Sequence, residues 1–251
     1  MPRPKSPVRL EWVDPAICSL DYRLKIIGRL SFFRHLSREV IEEINRLFED
    51  RDVTAEQVIY FEGDPGEYLY LVAIGKVKLM RSAASGREVL LDILRGGEYF
   101  GNLTALSGRG YTESAIAQTD CCILQISAQN FESILNHYPD VTMKVLRAVE
   151  QRLEESQEII QQLSTYTADQ RIAAALLRLA RKLGEQKQKG VLIQLPFSRQ
   201  NLAAMTGTTV ETVSRVMSRL SAEGLISAGR KWVSINDLDG LKGIAKEGAV
   251  N

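Results

Sequence analysis

Residues 199–218 read RQNLAAMTGTTVETVSRVMS, and this stretch has the shape of a helix-turn-helix. A short segment with an apolar stripe breaks at Gly207, and a second segment starts polar and then becomes periodic. Ala203 falls where two crossing helices approach closely, Gly207 where the chain needs a left-handed turn, and Val213 where the second helix packs back on the first. Ser198 is the expected N-cap of the first helix and Thr208 that of the second, with Glu211 three residues on as in a capping box. The second helix is expected from Thr209 to Glu223, with Gly224 stopping it.

On such a helix Val210, Glu211, Ser214 and Arg215 project from the first turns, the part that a recognition helix pushes into the major groove. Arginine holds guanine O6 and N7 with two donors, glutamate accepts from cytosine N4, and serine bonds either kind of edge. Two plainer readings stand beside this one. Glu211 serves the capping box alone, or Arg215 is its solvated i, i+4 partner.

Working outward, the C-terminal side gives LISAGRKWVSI (225–235), two short strands joined at Gly229 and Arg230 as a wing. Upstream lie VLIQLPF (191–197), a short strand, and RIAAALLRLARKLG (171–184), a helix, with STYTADQ (164–170) as the hinge before it. Charge follows the same division. Residues 165–251 carry 13 Lys and Arg against 7 Asp and Glu, a net +6, while residues 1–164 carry 19 against 24, a net −5. A basic C-terminal third beside an acidic remainder fits a separate polyanion-binding module.

Before the hinge, the sequence from Asp140 to Leu163 has a helical period. Leu146, Val149, Leu153, Ser156, Ile160 and Leu163 recur at spacings of 3, 4, 3, 4 and 3. That is a coiled-coil seam on an otherwise polar helix, and a narrow apolar seam calls for a matching partner. AQNFESILNHYPD (128–140) is a shorter helix ended before Pro139. Between Asp52 and Ile126, six or more short alternating runs are separated by glycine-bearing turns, which predicts an antiparallel sandwich or barrel. SREVIEEINRLFED (37–50) precedes it as an amphipathic helix of about three turns, and the first 20 or so residues read as an arm.

The N-terminus has no apolar core of a signal peptide, and no run of 18 apolar residues occurs, so a membrane-free, cytoplasmic protein is expected. Cys18, Cys121 and Cys122 are odd in number and lack metal-ligand spacing, which suits a reducing compartment. Cys121 and Cys122 are adjacent on a predicted strand and so point to opposite faces. No nucleophile elbow, phosphate loop, metal-binding triad or repeated acid pair is present, which argues against an enzyme.

Taken together, GDPGEYLYLVAIGKVKL (63–79), GREVLLDIL (86–94), the seam helix, TADQRIAAALL (167–177) and VETVSR (210–215) resemble the Crp/Fnr superfamily of bacterial transcription regulators, over residues 25 to 240. The resemblance implies an α+β chain. Its parts are an N-terminal arm (1–24), an antiparallel β-roll sensor domain of the cyclic-nucleotide-binding type (25–138), a dimerisation helix (139–164) and a winged helix-turn-helix (165–251). It extends the DNA-contacting set to Ser198, Arg199, Thr208, Thr209 and Arg219, and implies double-stranded DNA, a second copy and RNA polymerase as partners. Val210, where Crp-like members carry arginine, gives the Fnr-like pattern Val-Glu-x-x-Ser-Arg and a palindrome of TTGAT-like half-sites.

At the sensor end the likeness is weaker. Where cyclic-nucleotide binders of this family carry a ribose-binding Glu and a phosphate-binding Arg-Ser, this chain has Asn102–Leu103 and Tyr111–Thr112, with Arg109 as the nearest substitute cation. A desolvated phosphate without its cation costs on the order of 3 kcal/mol, which argues against a standard cyclic AMP site. Three cysteines cannot supply the four ligands of an Fnr-type iron-sulfur cluster. Haem would need an axial ligand, and His35 and His137 read as ordinary surface or helix-end residues. The effector is left open, and so is a second reading of the chain, a ligand-binding signalling module acting through protein contacts.

Overall fold

In the computed structural model, which describes residues 18–84, 86, 88–101, 110–188, 190–194, 198–229 and 231–246, the period-two runs become strands. The described chain divides into two units, residues 18–155 and 156–246. The first opens with α1 (Leu20–Ile27) and α2 (Arg38–Asn45). There follow β1 (Glu49–Val53), β2 (Val58–Tyr60), β3 (Tyr68–Ile74), β4 (Lys76–Ser82), β5 (Glu88–Arg95), β6 (Tyr99–Phe100), β7 (Ser114–Ala117) and β8 (Cys121–Ser127). After these come α3 (Ala128–His137) and the long α4 (Pro139–Thr165), whose residues from Ser156 on belong to the second unit. The strands form two antiparallel sheets, in the orders β1-β8-β3-β6 and β2-β7-β4-β5.

Alternation along β3 and β8 explains the layering. Tyr70, Val72, Cys121 and Ile123 enter the core between the sheets, whereas Leu69, Leu71, Cys122, Leu124 and Ile126 enter a second core on the other side. That second core is closed by Leu24, Ile26 and Ile27 of α1, Ile41 and Ile44 of α2, Phe131 and Ile134 of α3, and Val141 and Val145 of α4. A strand covered on both faces reads as an unbroken apolar run, as YLYLVAI does.

Several boundaries differ from the sequence reading. Residues 20–24, expected within an arm, begin α1, whose N-cap is Ser19. The helix expected over 37–50 starts at the Ser37 cap but ends at Asn45, because Glu49–Val53 pairs with β8. Ladder hydrogen bonds outweigh the helical preference of these charged residues there. Cys18 and Cys122 are joined by a disulfide, a link the cysteine count did not anticipate. Asn102, Leu103, Arg109, Arg230 and the first 17 residues lie outside the described residues.

The second unit carries α5 (Ala168–Leu183), β9 (Gly184–Lys187), β10 (Gly190–Gln194), α6 (Arg199–Thr206), α7 (Val210–Ala222), β11 (Ile226–Gly229), β12 (Trp232–Ile235) and α8 (Leu238–Lys246). Thr167 and Gln170 cap α5 reciprocally, so the expected hinge shrinks to the residues between Thr165 and Ala168. Ile172, Leu176 and Leu179 of α5 are buried, as are Val213, Val216 and Leu220 of α7. The sheet runs β11-β12-β10-β9, and its β11–β12 hairpin is the wing. Within that hairpin the Trp232 indole lies against Gly229, where a Cβ would collide with the ring.

Gly207 adopts φ 61° and ψ 37°, the left-handed turn the sequence called for. A Cβ there would come no nearer than 3.5 Å to any neighbour, so a side chain would meet backbone strain and no clash. Gly207→Ala is therefore expected to cost about 1 kcal/mol. Calorimetry of this unit's unfolding should show a midpoint lower by roughly 5 °C; an unchanged midpoint would mean that the turn tolerates a side chain freely.

Candidate nucleic-acid interface

Two short helices meet at the turn. Ser198 caps α6, its Oγ accepting from Asn201 N at 3.1 Å, and Ala203 is buried where α7 crosses. Thr208 N–H donates to Ala203 O at 3.1 Å, so this residue closes the end of α6. The N-cap of α7 is consequently Thr209, accepting from Thr212 N at 3.2 Å, one residue later than the sequence reading placed it. With the cap shifted, the residue three on is Thr212, and Glu211 is not part of a capping box.

This start gives α7 two unlike sides. Val213, Val216, Met217 and Leu220 are buried, whereas Val210, at 41% exposure, together with Glu211 and Arg215, faces outward. The Glu211 backbone N–H, and after it the Thr209 hydroxyl, holds the Glu211 carboxyl below the usual carboxylate range, so it is ionised at neutral pH. Arg215 makes no ion pair among the described residues, so the i, i+4 pair with Glu211 is not formed. Arg199 reaches across from α6, its Nη1 donating to Ser214 Oγ at 3.0 Å. The sequence did not reveal that contact, because the two residues are 15 apart and meet only once α6 and α7 cross. Arg219 lies farther along, paired with Asp169 of α5 at 3.4 Å and Glu223 at 3.5 Å.

On α4 the seam residues Leu146, Val149, Leu153, Ile160 and Leu163 are all exposed, Leu153 at 58% and Ile160 at 62%. Ser156 is exposed among them. Val141 and Val145, in contrast, are buried in the helix-side core of the first unit. The helix is thus anchored by its first turns, and its seam from Leu146 to Ile160 stands exposed, while Leu163 at its end lies beside Gly207.

Inside the β-roll, Tyr111 is only 4% exposed. Its ring stacks on Tyr60 at 3.7 Å between centroids, and Tyr60 stacks in turn on Tyr70 and Phe100. The Tyr111 hydroxyl accepts from Tyr68 N at 3.1 Å and donates to Tyr68 O at 3.0 Å. Burial pushes the phenols of Tyr60, Tyr70 and Tyr111 up, so all three stay neutral. Thr112 is exposed and donates to Glu113 at 2.6 Å. Four rings, those of Tyr60, Tyr70, Phe100 and Tyr111, thus pack together in the inter-sheet core, and Tyr111 brings no charge there. His35 is exposed, and the His137 ring lies edge-on to Tyr138. Among the described residues no group of three His, Cys, Asp or Glu side chains is placed to hold a metal, and no helix is long and apolar enough to cross a membrane.

Comparison with known proteins adds to this geometry. Residues 50–138 match the family model for the cyclic nucleotide-binding domain, and residues 170–244 that for the Crp-like helix-turn-helix domain. The cyclic AMP receptor protein of Thermus thermophilus is 33% identical over 213 residues, 85% of this chain and 95% of that relative. Among solved structures, FixK2 from Bradyrhizobium japonicum superposes with a TM-score of 0.71 at 25% identity, covering 78% of this chain and 96% of that one. A transcriptional regulator of the CRP/FNR family, also from Thermus thermophilus, gives 0.66 at 30% identity, covering 80% and 100%. Similarity along nearly the whole length of such a relative, with both units matched in the order the sheets and helices take here, makes this chain a member of the Crp/Fnr family of DNA-binding transcription regulators.

Proposed function

We propose that the protein works as a homodimer which reads a twofold-symmetric DNA site through the first turns of α7, with TTGAT-like half-sites. The outward face made by Val210, Glu211 and Arg215 carries this reading. Arg215 can clamp guanine, Glu211 can accept from cytosine N4, and Val210 adds an apolar contact of the kind a thymine methyl accepts. Ser214, already accepting from Arg199, has its own O–H free to donate to a base edge. Arg199, Ser198, Thr208, Thr209 and Arg219 lie beside these side chains in sequence or on the two helices, and we assign them to the phosphates, with Arg199 exchanging its serine for one. The uncovered seam of α4 supplies the dimer contact, and RNA polymerase is the partner through which such a cytoplasmic regulator acts.

The sensor unit, residues 25–138, is read as not binding cyclic AMP in the usual way, because Tyr111 occupies the inter-sheet core where a phosphate would need a cation. Fluorescence anisotropy on a TTGAT palindrome and a scrambled duplex tests both halves of the proposal. Matched DNA should bind at least about a thousandfold more tightly at one salt concentration, with affinity falling steeply as salt rises. Millimolar cyclic AMP should alter neither the affinity nor the melting temperature. Equal binding to the two duplexes would remove the DNA-reading assignment, and stabilisation by the nucleotide would remove the blocked pocket.

A further inference from the structure

We propose that Cys18 and Cys122 are a reversible dithiol–disulfide modification site of the first unit, oxidised by a hydroperoxide and reset by a small thiol. This goes beyond the DNA-reading proposal and does not depend on it. Cys18 immediately precedes Ser19, the N-cap of α1. Cys122 lies in β8, paired with Asp52 of β1, with its side chain among the helix-side core residues. A bond between them spans 104 residues of sequence and clamps the start of α1 to the face of the sheet.

Three observations make the pair reversible and specific. The first is that α1 is held in place without the bond. Tyr22 Oη donates to Ala73 O at 3.1 Å. Arg23 donates to Phe48 O at 2.7 Å and to Asn45 Oδ1 at 3.0 Å, and pairs with Asp50 at 2.6 Å. Reduction therefore leaves the two sulfurs as neighbours, and an intramolecular thiol at such an effective concentration re-forms its bond readily. Access is the second. Cys18 is partly exposed, whereas Cys122 is 4% exposed, so a reagent in solution meets the Cys18 sulfur first. Finally, Cys121 faces the opposite side of the sheet, where its thiol donates to Lys76 O at 3.3 Å and Thr119 O at 3.1 Å and cannot compete.

The chemistry balances as follows. The Cys18 thiolate attacks the O–O bond of a hydroperoxide, giving the sulfenic acid and releasing alkoxide, which takes a proton to become the alcohol. The Cys122 sulfur then attacks the Cys18 sulfur. An S–S bond forms, the S–O bond breaks, and the leaving hydroxide takes the Cys122 proton as water. The two thiols together lose two electrons and two protons, and the peroxide bond accepts both. Two equivalents of a small thiol reverse the process by exchange, the first at the accessible Cys18 sulfur. Because Cys122 shares its core with Val141 and Val145, the bond stabilises the same packing that seats the first turns of α4.

The test uses the full chain, treated with hydrogen peroxide or with dithiothreitol and then alkylated under denaturing conditions. After peroxide, mass analysis of an unreduced digest should show a Cys18–Cys122 linked peptide with Cys121 alkylated; after dithiothreitol, all three cysteines should be alkylated. The melting temperature of the first unit should fall on the order of 10 °C on reduction. Cys121→Ser should keep that shift, and Cys18→Ser, at the accessible position, should melt at the reduced temperature under both conditions. Peroxide-treated protein with all three cysteines alkylated, a linkage through Cys121 or between two chains, or a melting temperature indifferent to redox state would each overturn the proposal.

Discussion

Leu153→Lys is expected to turn the proposed dimer into a monomer. Leu153 sits in the middle of the exposed seam, with Leu146 and Val149 before it and Ile160 and Leu163 after it. In a twofold coiled coil the same position from each copy meets at the axis, so the substitution buries two like charges at once. An unpaired buried charge costs roughly 3–5 kcal/mol, which alone weakens association about a thousandfold. The fold should survive, because Leu153 does not belong to the core of the first unit. Sedimentation velocity at micromolar concentration should show one species near 28.1 kDa in place of one at twice that mass. A persistent dimer would place the subunit contact elsewhere, and a monomer that still bound the full palindrome with undiminished affinity would show that pairing is not needed for DNA reading.

The second large effect is expected from Arg215→Ala. A bidentate contact to a G·C pair is worth about 1–3 kcal/mol, and a palindrome presents it twice, so matched DNA should lose roughly 2–6 kcal/mol. Scrambled DNA should lose far less, since the outward guanidinium would there make at most one phosphate contact per copy. Single-base variants of the half-site should show the preference relaxed at one position. Equal loss on matched and scrambled duplexes would reassign Arg215 to the backbone and leave Val210, Glu211 and Ser214 as the proposed readers.

What could be read in advance follows the range of the interactions. The helix-turn-helix depends on contacts within about twenty residues, so a glycine needing φ 61°, a small residue at the crossing and a valine on the inner side are visible in the sequence. The seam was equally legible, being a period on one helix. The cap of α7 came out one residue late because Thr208 spends its N–H on the preceding helix, a choice that two neighbouring threonines do not disclose. Strand β1, EDRDV, looks like the polar tail of a helix, and only its pairing with β8, more than 70 residues away, makes it a strand. Strand β9, GEQK, is another polar segment recruited by its neighbour, β10. Helix α8, with Gly240 and Gly243 inside it, has little propensity of its own and forms where Leu241 and Ala245 are buried. In the first unit Tyr111 was legible as an uncharged residue, but its stacking on Tyr60 was not, since aromatic geometry depends on how the two sheets face each other.

The indole packed against Gly229 gives the wing an optical reporter of its own. The chain has two tryptophans, Trp12 and Trp232, and the second is a largely enclosed fluorophore at the mouth of a hairpin turn. Its emission wavelength depends on how much water reaches the ring, so in a chain carrying phenylalanine at position 12 the colour of the light would record, without any attached dye, whether a bound duplex pries the hairpin open or leaves it shut.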